Sequence, residues 1–129
     1  MAVAQHVCQD LGSEQGLFLV GSAPMGTPSR YLIRHSQGRE IKEGDQFTVL
    51  VENNGPGGFY TGIGRTYVLG KASQEMLDEF EFTLEAQRFT LNLLKSGAHP
   101  AEIPTAFNNF MKSNGRPEEK RLYAHGHLL

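Results

Sequence analysis

The 129-residue chain predicts an α+β architecture: an antiparallel sheet with packed helices. Three observations carry this. Short β-prone runs cluster between residues 16 and 69, two longer runs with helical spacing follow them, and glycine-rich turns separate the pieces. Gly 15 of 129 residues exceeds the usual share of roughly 7% and agrees with many tight turns.

The elements follow in chain order. From Ala2 to Leu11, Val3, Val7 and Leu11 recur every four residues beside Ala4 and Cys8, which is one apolar helix face, and Gly12 ends it. No Ser, Thr or Asp caps its start, so the run reads as the tail of a longer helix. Gly16 to Val20 and Arg30 to Arg34 read as two strands, with Gly21, Pro24, Gly26 and Pro28 marking a loop between them. Asp45 to Glu52 alternates Phe47, Val49 and Val51 against Thr48, Leu50 and Glu52, and apolar residues on both sides predict a central, doubly covered strand. The turn Asn53-Asn54-Gly55-Pro56-Gly57-Gly58 joins it to a second strand, Phe59 to Leu69, in a hairpin. Ser73 then serves as N-cap for a helix from about Gln74 to Lys95, with Met76, Leu77, Phe80, Leu84, Leu91 and Leu94 as its packing face. A further helix runs from about Ala101 to Ser113, with Pro104 tolerated in its first turn, and Arg121 to Ala124 begins another strand.

Composition narrows the class of function. A formal net charge of -2 provides no basic field for nucleic acid or an anionic membrane surface. The lone Cys8 cannot form an internal disulfide, and no apolar run approaches the roughly 20 residues of a bilayer span. With no basic, apolar leader at the N-terminus, the expected setting is cytoplasmic. The length suits one domain or part of one, residues 1–129.

Three pieces in order carry a more specific likeness: Ile41-Lys42-Glu43-Gly44-Asp45 before a strand, Gly58-Phe59-Tyr60-Thr61-Gly62-Ile63-Gly64-Arg65-Thr66-Tyr67-Val68-Leu69-Gly70 after a glycine-rich turn, and Lys95-Ser96-Gly97-Ala98 leading to Glu102-Ile103. His125-Gly126 follows at the expected distance. Over residues 36 to 127 the chain resembles the pita-bread hydrolases, which include methionine aminopeptidase, aminopeptidase P, prolidase and creatinase, and it is most similar to the prolyl-peptidase and creatinase branch. The resemblance implies an incomplete pita-bread fold, the front half of a catalytic domain lacking its second half.

It also implies a chemistry. Metal-dependent members of that family hold two divalent ions, Mn, Co or Zn, with two Asp on the hairpin, a His opening a His-Gly motif and two later Glu; a water bridging the metals is the nucleophile. The His position matches His125. The second Asp position holds Gly62, three residues before the Arg65-Thr66 pair. The first falls near Val51 or Glu52, of which only Glu52 can donate, and a one-residue slip would turn it to the opposite sheet face. The two Glu positions fall beyond Leu129. The metal candidates are thus His125 and Glu52, with His127 as a substrate-binding candidate, and no cofactor is expected for this chain alone. The creatinase pattern fails as well: Gly64 stands where that enzyme has a Glu, and Ala23-Pro24-Met25-Gly26 where it has its catalytic His.

Each candidate has a plainer reading. His125 and His127 at a chain end suit solvated side chains as well as ligands. Asn53 and Asn54 fit turn chemistry, and Arg65 with Thr66 fits a brace for the sheet. Gly55-Pro56-Gly57-Gly58 opens a strand rather than a helix and lacks the Lys-Ser of a phosphate loop. Cys8 sits on an apolar helix face and is expected in the core.

Three functions follow as expectations. The first is a fragment of an Xaa-Pro peptidase or creatinase-like hydrolase of C–N bonds, inactive alone, whose parent takes a small peptide-like substrate. The second is a non-catalytic, protein-binding pita-bread module. The third is self-association, or pairing with a separate second half, through an exposed sheet edge and an uncovered apolar face.

Overall fold

The computed structural model describes residues 2–33 and 38–120. These fall into two compact units, one up to Ser73 and one from Gln74 onward, each taken here by itself. Among the described residues no helix is long and apolar enough to cross a membrane.

The first unit holds helix α1 (Ala2–Asp10) and strands β1 (Gly16–Pro24), β2 (Leu32–Ile33), β3 (Asp45–Asn54) and β4 (Tyr60–Val68). All pair antiparallel, in the order β2-β1-β3-β4. Strand β3 takes the central place that its pattern predicts. It lies between two strands of similar length, and none of its residues is exposed. Phe18 and Val20 of β1 are buried on one sheet face, opposite Val51 and Val49.

Strand β1 runs four residues beyond the predicted boundary. Gly21 is not a break but a place of close approach: a Cβ there would lie 1.9 Å from the carbonyl oxygen of Arg30. Only glycine lets the returning loop lie so near the strand. In that loop Ser29 Oγ and Thr48 Oγ1 share a hydrogen bond of 3.0 Å, and Gln46 Nε2 donates to the carbonyl of Thr27. The hairpin between β3 and β4 turns through Gly57 and Gly58 at φ 99° and 83°, a region that side chains rarely adopt, and it closes with Gly55 N–H donating to the Phe59 carbonyl at 3.2 Å.

Helix α1 forms as predicted, but Val3 and Leu11 are 77% and 78% exposed, so its apolar face is not a core face. Cys8 is half-buried.

The second unit pairs α2 (Gln74–Leu93) with α3 (Glu102–Ser113). Phe110 stacks on Phe89 at 4.5 Å and on Phe82 at 5.9 Å between ring centroids. Arg116 lies 4.7 Å over the Phe82 ring while its Nη1 meets Glu79 at 2.6 Å. Asn108 ties the segment after α3 back onto it, accepting from Glu119 N–H at 2.9 Å and donating to the Glu119 carbonyl at 3.3 Å. The face of α2 that meets α3 therefore runs through Phe82 and Phe89. Of the predicted packing face, Leu77, Phe80, Leu91 and Leu94 are instead exposed. Two apolar stripes share this helix, and spacing alone does not rank them. The expected strand at 121–124 lies outside the described residues.

Candidate functional site

The hairpin β3/β4 places the candidate residues through its register. In an antiparallel ladder, directly opposed residues send their side chains to the same face, and that face alternates along each strand. Glu52 is opposed to Gly62, Leu50 to Gly64 and Thr48 to Thr66, so these six share one face, while Val51 and Ile63 lie on the other. A Cβ at Gly62 would stand 3.5 Å from Glu52 Cγ and 3.9 Å from its Oε1. Glu52 is therefore not turned away by a one-residue slip. It leans over the glycine that faces it, and it has no ion-pair partner among the described residues.

Tyr31 completes this floor from the loop before β2. Its hydroxyl lies 3.0 Å from the point where a Gly64 Cβ would be, so the phenol rests on the strand at a glycine. The patch then holds one carboxylate, one phenol, the Thr66 hydroxyl and two glycine gaps. It can accept hydrogen bonds from amide or ammonium groups lying along the strands. The close approach of Tyr31 and Gly64 joins residues far apart in the chain, and no local pattern signals it.

Two buried polar groups hold the ends of β3 in place. At its start Asp45 is 5% exposed; its Oδ1 takes Arg39 Nη2 at 2.6 Å and its Oδ2 takes Lys42 N–H at 2.7 Å. Arg39 also donates to Ser22 Oγ at 3.1 Å, tying β1 to the same point. The Arg39 hydrogen bond, followed by the Lys42 N–H, holds the Asp45 carboxyl below its ordinary value, and the same contact raises Arg39. At its far end Asn54 is 3% exposed, and its Oδ1 accepts Gln15 N–H at 2.7 Å and Glu14 N–H at 3.0 Å. Asn54 is thus an anchor for the turn that follows α1. Arg65 is exposed and donates to the Gly64 carbonyl at 2.7 Å.

His125 and His127 lie outside the described residues. Among the described residues no three His, Cys, Asp or Glu side chains gather as a metal site. Glu52 alone, opposite a glycine, does not meet the several oxygen or nitrogen donors that a divalent ion requires. The described residues do not fit a metal centre. A cavity of 270 Å³ between α1 and the hairpin is lined by Cys8, Leu11, Pro56 and Phe59 and carries no cluster of reactive groups.

Residues 2–128 match the profile of metallopeptidase family M24. The chain belongs to that family. Members of it are in general dependent on divalent metals. Among curated proteins it is similar to the probable dipeptidase PepE of Mycobacterium bovis and of two Mycobacterium tuberculosis strains. Each is 22% identical over 116 residues, which is 90% of this chain and 30% of the relative. The chain thus spans less than a third of the relatives it matches. No solved structure matches it. The antiparallel sheet of the first unit and the paired helices of the second agree with part of an M24 fold.

Proposed function

We propose that residues 1–129 act as one partial catalytic domain of a peptidase, and that the β3/β4 floor is its share of a site whose complete form cleaves dipeptides or Xaa-Pro bonds. The observation that carries this is the register of Glu52 on Gly62: a family ligand position retains the scaffold and lacks the donor. On this reading the chain alone hydrolyses nothing, and the divalent metal, Mn, Co or Zn, belongs to complete relatives. The lone Cys8 suits a reducing, cytoplasmic setting.

Two measurements test the reading. Xaa-Pro and other dipeptides incubated with the chain and millimolar Mn²⁺ or Co²⁺ should show no turnover above buffer; turnover at catalytic concentrations of protein overturns the inactivity. Dipeptide titration followed by amide NMR should move Leu50, Glu52, Gly62 and Gly64 together. Saturating dipeptide with no shift at these positions overturns the substrate floor.

A second reading, a non-catalytic protein-binding module, is favoured by one observation. Strand β4 is last in the sheet order among the described residues, and Ile63 and Tyr67 on its other face are 52% and 57% exposed. Exposed aromatic and β-branched side chains beside an open edge suit addition of a strand from a partner.

A further inference from the structure

One end of the sheet is laced by backbone bonds. Met25, just after β1, donates its N–H to the Gly44 carbonyl at 3.1 Å; Gly44 N–H donates to the Leu69 carbonyl at 2.8 Å, and Leu69 N–H to the Asp45 carbonyl at 2.9 Å. Beyond β4, Gly70 turns the chain at φ 106°, a conformation that suits glycine. The next tie is made by a side chain. Ser73 N–H donates to Met25 Sδ at 3.2 Å, across 48 residues of sequence. Ser73 is the last residue before α2 and falls in the same compact unit as Met25, so this bond lies wholly within the sheet unit.

A thioether is a weak acceptor, and a mild oxidant changes it. Met25 is half-buried rather than sealed in a core. We propose that Met25 is a site of reversible oxidation, and that its sulfur is a latch on residues 70–73, closed as the thioether and released as the sulfoxide. The oxidant is a hydroperoxide. The sulfur gives an electron pair to one peroxide oxygen, the O–O bond breaks, and the other oxygen leaves as water or an alcohol. The lone pair that faced Ser73 N–H is then lost or displaced, because the acceptor has become an oxygen one bond length away. A sulfoxide is also far more polar than a thioether, so at a half-buried position it turns to water. The Met25 N–H bond to Gly44 uses only backbone atoms and survives, which confines the change to the segment leading into α2.

Amide hydrogen exchange of Ser73 in the full chain, followed by NMR as hydrogen peroxide is added, tests this, with mass spectrometry of proteolytic peptides reading the oxygen gained at each methionine. Conversion of Met25 should speed Ser73 exchange about fivefold, the loss of one modest hydrogen bond, while the Met25 and Gly44 amides exchange as before. Methionine sulfoxide reductase should restore the original rate. Met25→Leu keeps the volume and removes the acceptor. Ser73 should exchange fast in that variant from the outset, and peroxide should add nothing. An equal response to peroxide in the Leu variant would trace the effect to another methionine and overturns the latch. So does Ser73 exchange that is unchanged, or slower, once Met25 is fully converted in the wild type; slower exchange would mean that the sulfoxide oxygen accepts the N–H instead. A Met25 that gains no oxygen until the chain unfolds overturns the modification site. Should the Leu variant fail to fold, the wild-type titration and its reversal by the reductase decide alone.

Discussion

Replacing Gly62 with Asp tests the hairpin register and the missing donor together. The new Cβ would meet Glu52 Cγ at 3.5 Å, an ordinary contact, so the side chain fits. Its carboxylate then stands about 4–5 Å from that of Glu52, where two like charges repel by about 1 kcal/mol at a water-like dielectric and more where water is partly excluded. Gly62→Asn supplies the same shape and the same loss of glycine freedom without the charge. At pH 7 the Asp variant should therefore be about 1 kcal/mol less stable than the Asn variant in urea unfolding. The penalty exists only while both carboxylates are ionised, so the gap should close as the pH falls toward 3. In calorimetric titration with Mn²⁺ the Asp variant should show no tight stoichiometric binding, because two carboxylates leave most of the coordination sphere unfilled. Equal stability of the two variants at pH 7 would refute the shared face of residues 52 and 62. Tight binding of one Mn²⁺ per chain would refute the conclusion that the donor set is too small.

Gly21→Ala should destabilise the first unit by about 2 kcal/mol or more, since its Cβ would fall 1.9 Å from the Arg30 carbonyl and backbone must move; unchanged thermal unfolding would show that the loop does not lie against β1. Asp45→Asn should alter the acid limb of the stability profile. The native Asp45 carboxyl is held below its ordinary value by Arg39 and then Lys42 N–H, so its contribution is present above the unfolded value of about 4 and is lost as pH falls through the folded value. Wild type should exceed the variant at pH 7 and converge on it in acid, and a gap independent of pH would contradict the pairing.

Element type was written locally, and the boundaries that moved show where locality ends. Alternation at Phe47, Val49 and Val51 and the glycine-rich turn after Asn54 suffice for a hairpin, because side-chain period and turn conformation are properties of neighbours in sequence. Gly21 reads locally as a strand stop. Its actual role depends on a carbonyl nine residues away that only the folded chain brings near. The two apolar stripes of α2 have equal claims in sequence, and the stacking of Phe82 and Phe89 on Phe110 settles which one meets α3.

The candidate site divides in the same way. That residue 62 is a glycine, offering no ligand atom, was determined by the sequence alone, as was the absence of a creatinase-like acid at Gly64. Whether Glu52 faces that gap turned on one residue of register, which spacing could not decide because a slip of one exchanges the two faces of a strand. The ladder of β3 on β4 decided it, and the contact of Tyr31 with Gly64 exists only because β2 folds back beside β1. Residue identity settles which chemistry is possible; pairing between distant strands settles which of those groups meet.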